Sequence, residues 1–207
     1  MQARNENNPY HRYAEGYERN LGLPIVSTIR RQEARLIREL ISRYCRPESR
    51  ALEVGPGTGF YTKLLAQSFR QVVAVEDSAQ MAQILSGRLG ELGNVTVLNC
   101  DFISFAPEES FDVAVAIGVL DYVADPAAFV GKMCSVARRA VIFTTPQRGL
   151  WGCCFAAGGR LRKINVYCRA ASLPPTWAPE WRCEVTEVGL KTPLTKGLTL
   201  VAVLEPR

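Results

Sequence analysis

Apolar residues recur along this chain with two periods, and the switch between them marks its elements. Between residues 28 and 44, Ile29, Ala34, Ile37, Leu40, Ile41 and Tyr44 fall near a 3.6-residue repeat, which predicts an amphipathic helix ended by Pro47. Short apolar runs then alternate with helical patterns. Residues 51–54 read as a strand, 60–69 as a helix and 71–75 as a second strand. Ser78 is a good N-cap for a helix carrying Met81, Ile84, Leu85 and Leu89. Residues 95–98 and 111–117 are the third and fourth strands. Asp125 and Pro126 supply an N-cap and a first-turn proline for a helix with Phe129, Val130, Met133 and Val136 inward. Residues 140–143 form a fifth strand, closed by Pro146.

Apolar strands separated by helices imply a mostly parallel sheet buried on both faces. The pattern changes after Pro146. Residues 147–180 are rich in Gly, Cys and Pro, and two strand-like runs follow, 181–188 and 198–204. The link between those runs is too short for a parallel crossover, so they are expected to pair antiparallel. Residues 1–24 read as a loose arm with short helical turns.

Composition narrows the class. The chain has 207 residues, 47% of them hydrophobic and 22% charged, which suits a folded domain and not a disordered or low-complexity chain. No run approaches the ~18 apolar residues of a membrane span. The first eight residues are polar, unlike a secretory leader, so reduced thiols and a cytoplasmic location are expected. The 7 cysteines, among them Cys153, Cys154, Cys168 and Cys183, show no zinc spacing, and no metal is expected.

Charge is distributed unevenly. The formal total is +5, yet residues 51–146 hold 6 basic and 10 acidic side chains. Residues 147–170 hold Arg148, Arg160, Arg162, Lys163 and Arg169 with no acid. The bland reading is a solvated surface; the sharper one is a basic wall around a site.

The strongest chemical signal is Leu52-Glu53-Val54-Gly55-Pro56-Gly57-Thr58-Gly59, set between a strand and a helix. Glycines there permit a tight turn and close approach to a ligand. Glu76 follows at the tip of the second strand, where an acid can accept from ribose hydroxyls. The spacing is G-x-G-x-G. The last small position of a dinucleotide fingerprint would fall on Phe60, and no Gly-Lys-Ser/Thr of a P-loop follows.

With Val75-Glu76, Cys100-Asp101-Phe102 and Phe111–Val115 leading into Ile117-Gly118-Val119-Leu120, the chain resembles the class I S-adenosylmethionine-dependent methyltransferases, in particular their small-molecule, UbiE-like group. The resemblance implies a Rossmann-like, doubly wound, mostly parallel seven-stranded sheet with an antiparallel C-terminal hairpin. It implies a methyltransferase domain over 47–207, a helical arm or lid over 1–46 and a substrate cap over 147–180. It also implies that Glu53, Gly55, Pro56, Gly57 and Gly59 hold the methionine end of S-adenosylmethionine. Glu76 would take the ribose, with Asp77 and Met81 near the adenosine. Asp101 and Phe102 would meet the adenine, and Ile117 and Gly118 would line the cofactor. Tyr13 and Tyr17 would close over it from the arm.

The acceptor is less constrained. Asp121 follows the fourth strand where acceptors bind in related enzymes, and a helix cap is its bland alternative. His11 is the only histidine; both are candidate catalytic residues. Tyr122, Arg148, Trp151, Arg160 and Arg162 are candidate substrate contacts, suiting a small, anionic, partly apolar molecule. The 147–180 segment could instead rest on an anionic membrane surface. The glycine loop also resembles that of ribosomal RNA adenine dimethyltransferases. Their Asn/Asp-Pro-Pro/Leu-Tyr motif after the fourth strand is replaced here by Ile117-Gly118-Val119-Leu120, which disfavours nucleic acid. A lipid or quinone acceptor, or a non-catalytic cofactor-binding protein of the same fold, stays open.

Overall fold

The computed structural model describes residues 24–89, 91–146, 177–188 and 199–207. In chain order these give α1 (Pro24–Tyr44), β1 (Arg50–Val54), α2 (Phe60–Ser68), β2 (Gln71–Glu76), α3 (Ala79–Leu89), β3 (Val95–Asn99), β4 (Phe111–Ala116), α4 (Pro126–Val136), β5 (Ala137–Pro146), β6 (Trp181–Val188) and β7 (Thr199–Pro206). The helices and strands expected between residues 28 and 204 are present among the described residues, with ends shifted by a few residues, whereas the expected arm over 1–23 and most of the expected cap, 147–176, lie outside the described residues. The largest single shift is at the start of α1, which begins at Pro24, and β5 lengthens by three residues at each end, starting directly after α4 where Ala137 pairs with Phe111 of β4.

The strands form one sheet of order β3-β2-β1-β4-β5-β7-β6. β1 pairs in parallel with β2 and β4, as do β2 with β3 and β4 with β5. β7 inserts antiparallel between β5 and β6. The sheet therefore closes on an antiparallel pair, as expected, and the inner position falls to the more apolar strand. Leu200–Leu204 of β7 is buried, whereas β6 exposes Arg182, Glu184, Val185, Thr186 and Glu187.

Strand alternation divides the core. On one face Ala51, Val113, Val115 and Ile142 pack with Ile37, Leu40 and Ile41 of α1 and with Leu64 and Leu65 of α2. On the other, Leu52, Val54, Ala114 and Phe143 pack with Phe129, Val130 and Met133 of α4. Leu85 and Leu89 seat α3 against Ala74. Asp125 caps α4 as expected, accepting from Ala128 N at 3.0 Å, with Pro126 at its start. Among the described residues no helix is long and apolar enough to cross a membrane.

Candidate functional site

The site is built where β1, β2 and β4 end. After Val54 the chain turns at Gly55, whose φ is +67° and whose N–H donates to Val75 O at 2.9 Å. A Cβ on Gly55 would lie 2.6 Å from Val119 Cγ2, and one on Gly59, at φ +90°, 2.5 Å from Leu85 Cδ1. Gly55 thus lets the loop after β1 touch the loop after β4, and Gly59 lets α2 pack on α3. Gly57 has no atom within 4 Å of such a Cβ, so the space before it is open. Phe60 turns outward, 53% exposed, with the Arg30 guanidinium 5.7 Å over its ring. The close-packing position is therefore Gly59, which is why a bulky residue is tolerated at 60.

Glu76, at the tip of β2, ties this loop to the second strand. Its Oε2 accepts from Gly57 N at 3.2 Å and its Oε1 from Ser78 N at 2.9 Å. Burial raises its pKa, the Ser78 and Gly57 N–H groups oppose the rise, and Asp77 adds to it. Asn99 clamps the same corner, its Nδ2 donating to the carbonyls of Glu76 and Asp77 at 2.8 and 3.1 Å.

Gly57, Glu76 and Asp77 border a cavity of about 600 Å³. Gly55, Gly57, Glu76, Asp77 and Met81 form one side, and Cys100, Asp101, Phe102 and Ile103 a second. Val119, Tyr122, Val123, Ala124, Asp125, Ala128 and Phe129 form the third. Phe102 and Phe129 meet edge to face, with ring centroids 5.0 Å apart. Asp101 also caps its own turn: Ile103 N, Ser104 N and Ser104 Oγ donate to its carboxylate at 3.1, 3.1 and 2.8 Å.

Of the expected cofactor residues, the cavity brings together Gly55, Gly57, Glu76, Asp77, Met81, Asp101 and Phe102, joined by the expected substrate contact Tyr122. Pro56, Gly59 and Gly118 are not in its wall. Gly118, at φ +70°, is pinned instead, its N–H donating to Thr144 Oγ1 at 2.7 Å. Ile117 is not in the wall either. It packs against the α1–α2 face of the core, because alternation along β4 turns it away from the cavity. His11, Tyr13, Tyr17, Arg148, Trp151, Arg160 and Arg162 lie outside the described residues.

Glu53 is also absent from the cavity wall. It is 3% exposed on the α1–α2 face of β1, and neither its Oε2 nor Thr62 Oγ1 has a hydrogen-bond partner among the described residues. Burial pushes its pKa to about 7; the Thr62 hydroxyl, close by though outside hydrogen-bond geometry, opposes the rise, and the Glu76 charge adds to it. Asp121 sits beside Tyr122 in the loop after β4, and burial, then the charge of Glu33, raises its pKa to about 7.

Several contributors were not expected from sequence. Val123, Ala124, Asp125 and Ala128 wall the cavity because the loop after β4 runs straight into the first turn of α4. Their signal was visible only as a cap. Outside the cavity wall, the pairing of Glu33 with Tyr61 also left no sign in the sequence. They form a buried pair in which Tyr61 OH donates to Glu33 Oε1 in a short hydrogen bond.

Residues 52–144 match the methyltransferase domain family. Among curated proteins, the ribosomal RNA small subunit methyltransferase A of Bacillus thuringiensis (strain Al Hakam) is 37% identical over 90 residues, which cover 40% of this chain. The chain spans 31% of the length of that relative. Among solved structures, magnesium protoporphyrin IX methyltransferase from Synechocystis PCC 6803 with bound SAH superposes with a TM-score of 0.74 at 14% identity, over 96% of this chain and 98% of that one. A DhpI–SAH complex gives 0.70 at 22% identity, over 95% and 93%. Both likenesses are of fold.

Proposed function

We propose that residues 52–144, which match the methyltransferase domain family, form a class I, Rossmann-like methyltransferase domain, and that the chain moves a methyl group from S-adenosylmethionine to a small, partly apolar acceptor carrying negative charge. The observation that carries this reading is Glu76 on the wall of the cavity. Each of its oxygens accepts one protein N–H, and each keeps a free lone pair for the two hydroxyls of a ribose. The open space before Gly57 admits the rest of the cofactor along the loop. Asp101 and Phe102 stand where the adenine would meet the wall, though the carboxylate of Asp101 already serves its own turn.

When bound, S-adenosylmethionine supplies a methyl group on a positively charged sulfur. The protein's part is positioning and exclusion of water. Val119 and Tyr122 border the cavity from the loop after β4, and the Thr144 hydroxyl fixes that loop through Gly118. The basic, aromatic run 147–170 would supply counter-charge to an anionic acceptor.

Calorimetric titration with S-adenosylmethionine and with a nicotinamide dinucleotide tests the assignment. Glu76→Ala should weaken S-adenosylmethionine binding by about 1.5–3 kcal/mol, the scale of hydrogen bonds to a charged acceptor. Tighter binding of the dinucleotide would overturn the reading.

An RNA acceptor is the second reading, favoured by the 37% match to ribosomal RNA methyltransferases. Against it stands the stretch after β4, which reads Ile117-Gly118-Val119-Leu120. Methyl transfer to RNA, without transfer to small anionic acceptors, would establish the second reading.

A further inference from the structure

The loop that brings Gly57 to the cavity is held to β2 at its front. Gly55 N donates to Val75 O at 2.9 Å and Gly57 N to Glu76 Oε2 at 3.2 Å. Its rear runs without a break into α2. Gly59 N donates to Pro56 O at 3.0 Å and Lys63 N to Gly59 O at 3.2 Å, so the loop and the first helical turn form one piece. That turn has no side-chain cap, because its N-cap is Gly59 in left-handed backbone. A helix start of this kind depends on contacts from other elements to hold it.

α1 supplies such contacts. Arg30 and Glu33 lie three positions apart and share a face of the helix. The Arg30 guanidinium stands 5.7 Å over the ring of Phe60, and Glu33 Oε1 accepts from Tyr61 OH. Phe60 and Tyr61 are the first two residues of α2, and their rings meet edge to face with centroids 4.9 Å apart. The outer contact lies in water, since Phe60 is 53% exposed. The inner one is buried: Glu33 is 8% exposed and Tyr61 6%. A carboxyl and a hydroxyl are costly to bury, and an apolar pair would fill the same space at less cost. What the polar pair adds is direction. A hydrogen bond fixes distance and angle between α1 and α2, which apolar burial does not.

We propose that Glu33 is a positioning residue for the cofactor: through Tyr61 it fixes the start of α2, and with it the loop that presents Gly57 to S-adenosylmethionine. The proposal rests on the methyl-transfer reading and deepens it, because it places part of the cofactor's affinity in a residue pair outside the cavity wall.

The test combines thermal melts with S-adenosylmethionine titration of the full chain, well below its melting temperature. The variants are Glu33→Leu, Tyr61→Phe, the two together, and Glu33→Gln. Glu33→Leu and Tyr61→Phe should each weaken binding by about fivefold or more, the worth of one hydrogen bond, and each should lower Tm. The double variant leaves neither polar group stranded, so its Tm should recover relative to Tyr61→Phe. Its Kd should nevertheless stay as weak as that of either single variant. Glu33→Gln still accepts from Tyr61 and should bind within about twofold of the parent. A Kd that recovers along with Tm in the double variant makes the pair a packing contact alone and overturns the proposal. Single variants that bind like the parent also overturn it. Where a single variant fails to fold, the double variant set against Glu33→Gln decides: weak binding by the first and near-parental binding by the second supports the proposal, and equal binding by both overturns it. In all these outcomes the parent binds S-adenosylmethionine and the methyl-transfer reading stands. A parent that does not bind overturns that reading and the proposal together.

Discussion

At the scale of single residues, the three loop glycines have different tasks, and substitution should separate them. Gly59→Ala forces a methyl group onto Leu85 and Leu89 at a backbone φ of +90°, so it should destabilise the fold by about 1–3 kcal/mol. Gly57→Ala meets no neighbour and carries only the strain of its left-handed backbone, about 1 kcal/mol. Its methyl would enter the space where the cofactor approaches. Its loss of S-adenosylmethionine affinity should therefore exceed its loss of stability, as thermal melts and titration of both variants would show. The sequence displayed these glycines but not their division of labour, which depends on Val119, Leu85 and Leu89 arriving from elsewhere in the chain. Glu33 was illegible for a related reason. A glutamate within an amphipathic helix reads as solvent-facing until its tyrosine partner, 28 positions away, is known.

At the scale of elements, periodicity located the strands and helices now described, because most bury an apolar face; the largely exposed β6 was legible only as a strand-like run ahead of the buried β7. Periodicity did not locate β7 between β5 and β6, since strand order is decided by which strand can be buried on both sides. Nor did it separate Ile117 from its neighbours after β4. The run 117–120 looks uniform in sequence, yet Ile117 turns toward the α1–α2 core, Val119 meets Gly55 and Leu120 enters the α4 core. A hydrogen bond across to β5, from Gly118 N to Thr144 Oγ1, holds the loop beyond β4. Thr144 is 2% exposed, so Thr144→Val keeps the shape and leaves that N–H unsatisfied, at a cost of about 1–3 kcal/mol. Because the loop carries Asp121 and Tyr122 and not Glu76, the variant should reduce methyl transfer more than cofactor affinity. Equal losses in both would mean that the loop does not position the acceptor.

At the scale of the whole molecule, acids gathered at one end of the sheet should make stability and cofactor binding depend on pH in opposite senses. Glu53 has an ordinary value of 4.5 and is held near 7 by complete burial. Its folded form therefore binds a proton that the unfolded chain releases. The stability contribution is complete below about 4.5, falls as pH rises toward 7, and is absent above; for Glu53 alone it amounts to about 3 kcal/mol. Asp121 acts with the same sign. Glu205 acts oppositely: Tyr44 and Arg182 lower its pKa, so its contribution is lost as pH falls below 4.5. Thermal denaturation from pH 5 to pH 8 should thus show a falling Tm, and Glu53→Gln should flatten the fall. A cationic cofactor acts instead on Glu76, the acid on the cavity wall whose pKa burial raises, because positive charge beside it favours its ionised form. S-adenosylmethionine affinity should rise between pH 5 and pH 7, with protons released on binding. Calorimetry in two buffers of different ionisation enthalpy measures that release directly. Proton uptake on binding would show that Glu76 does not face the bound cation.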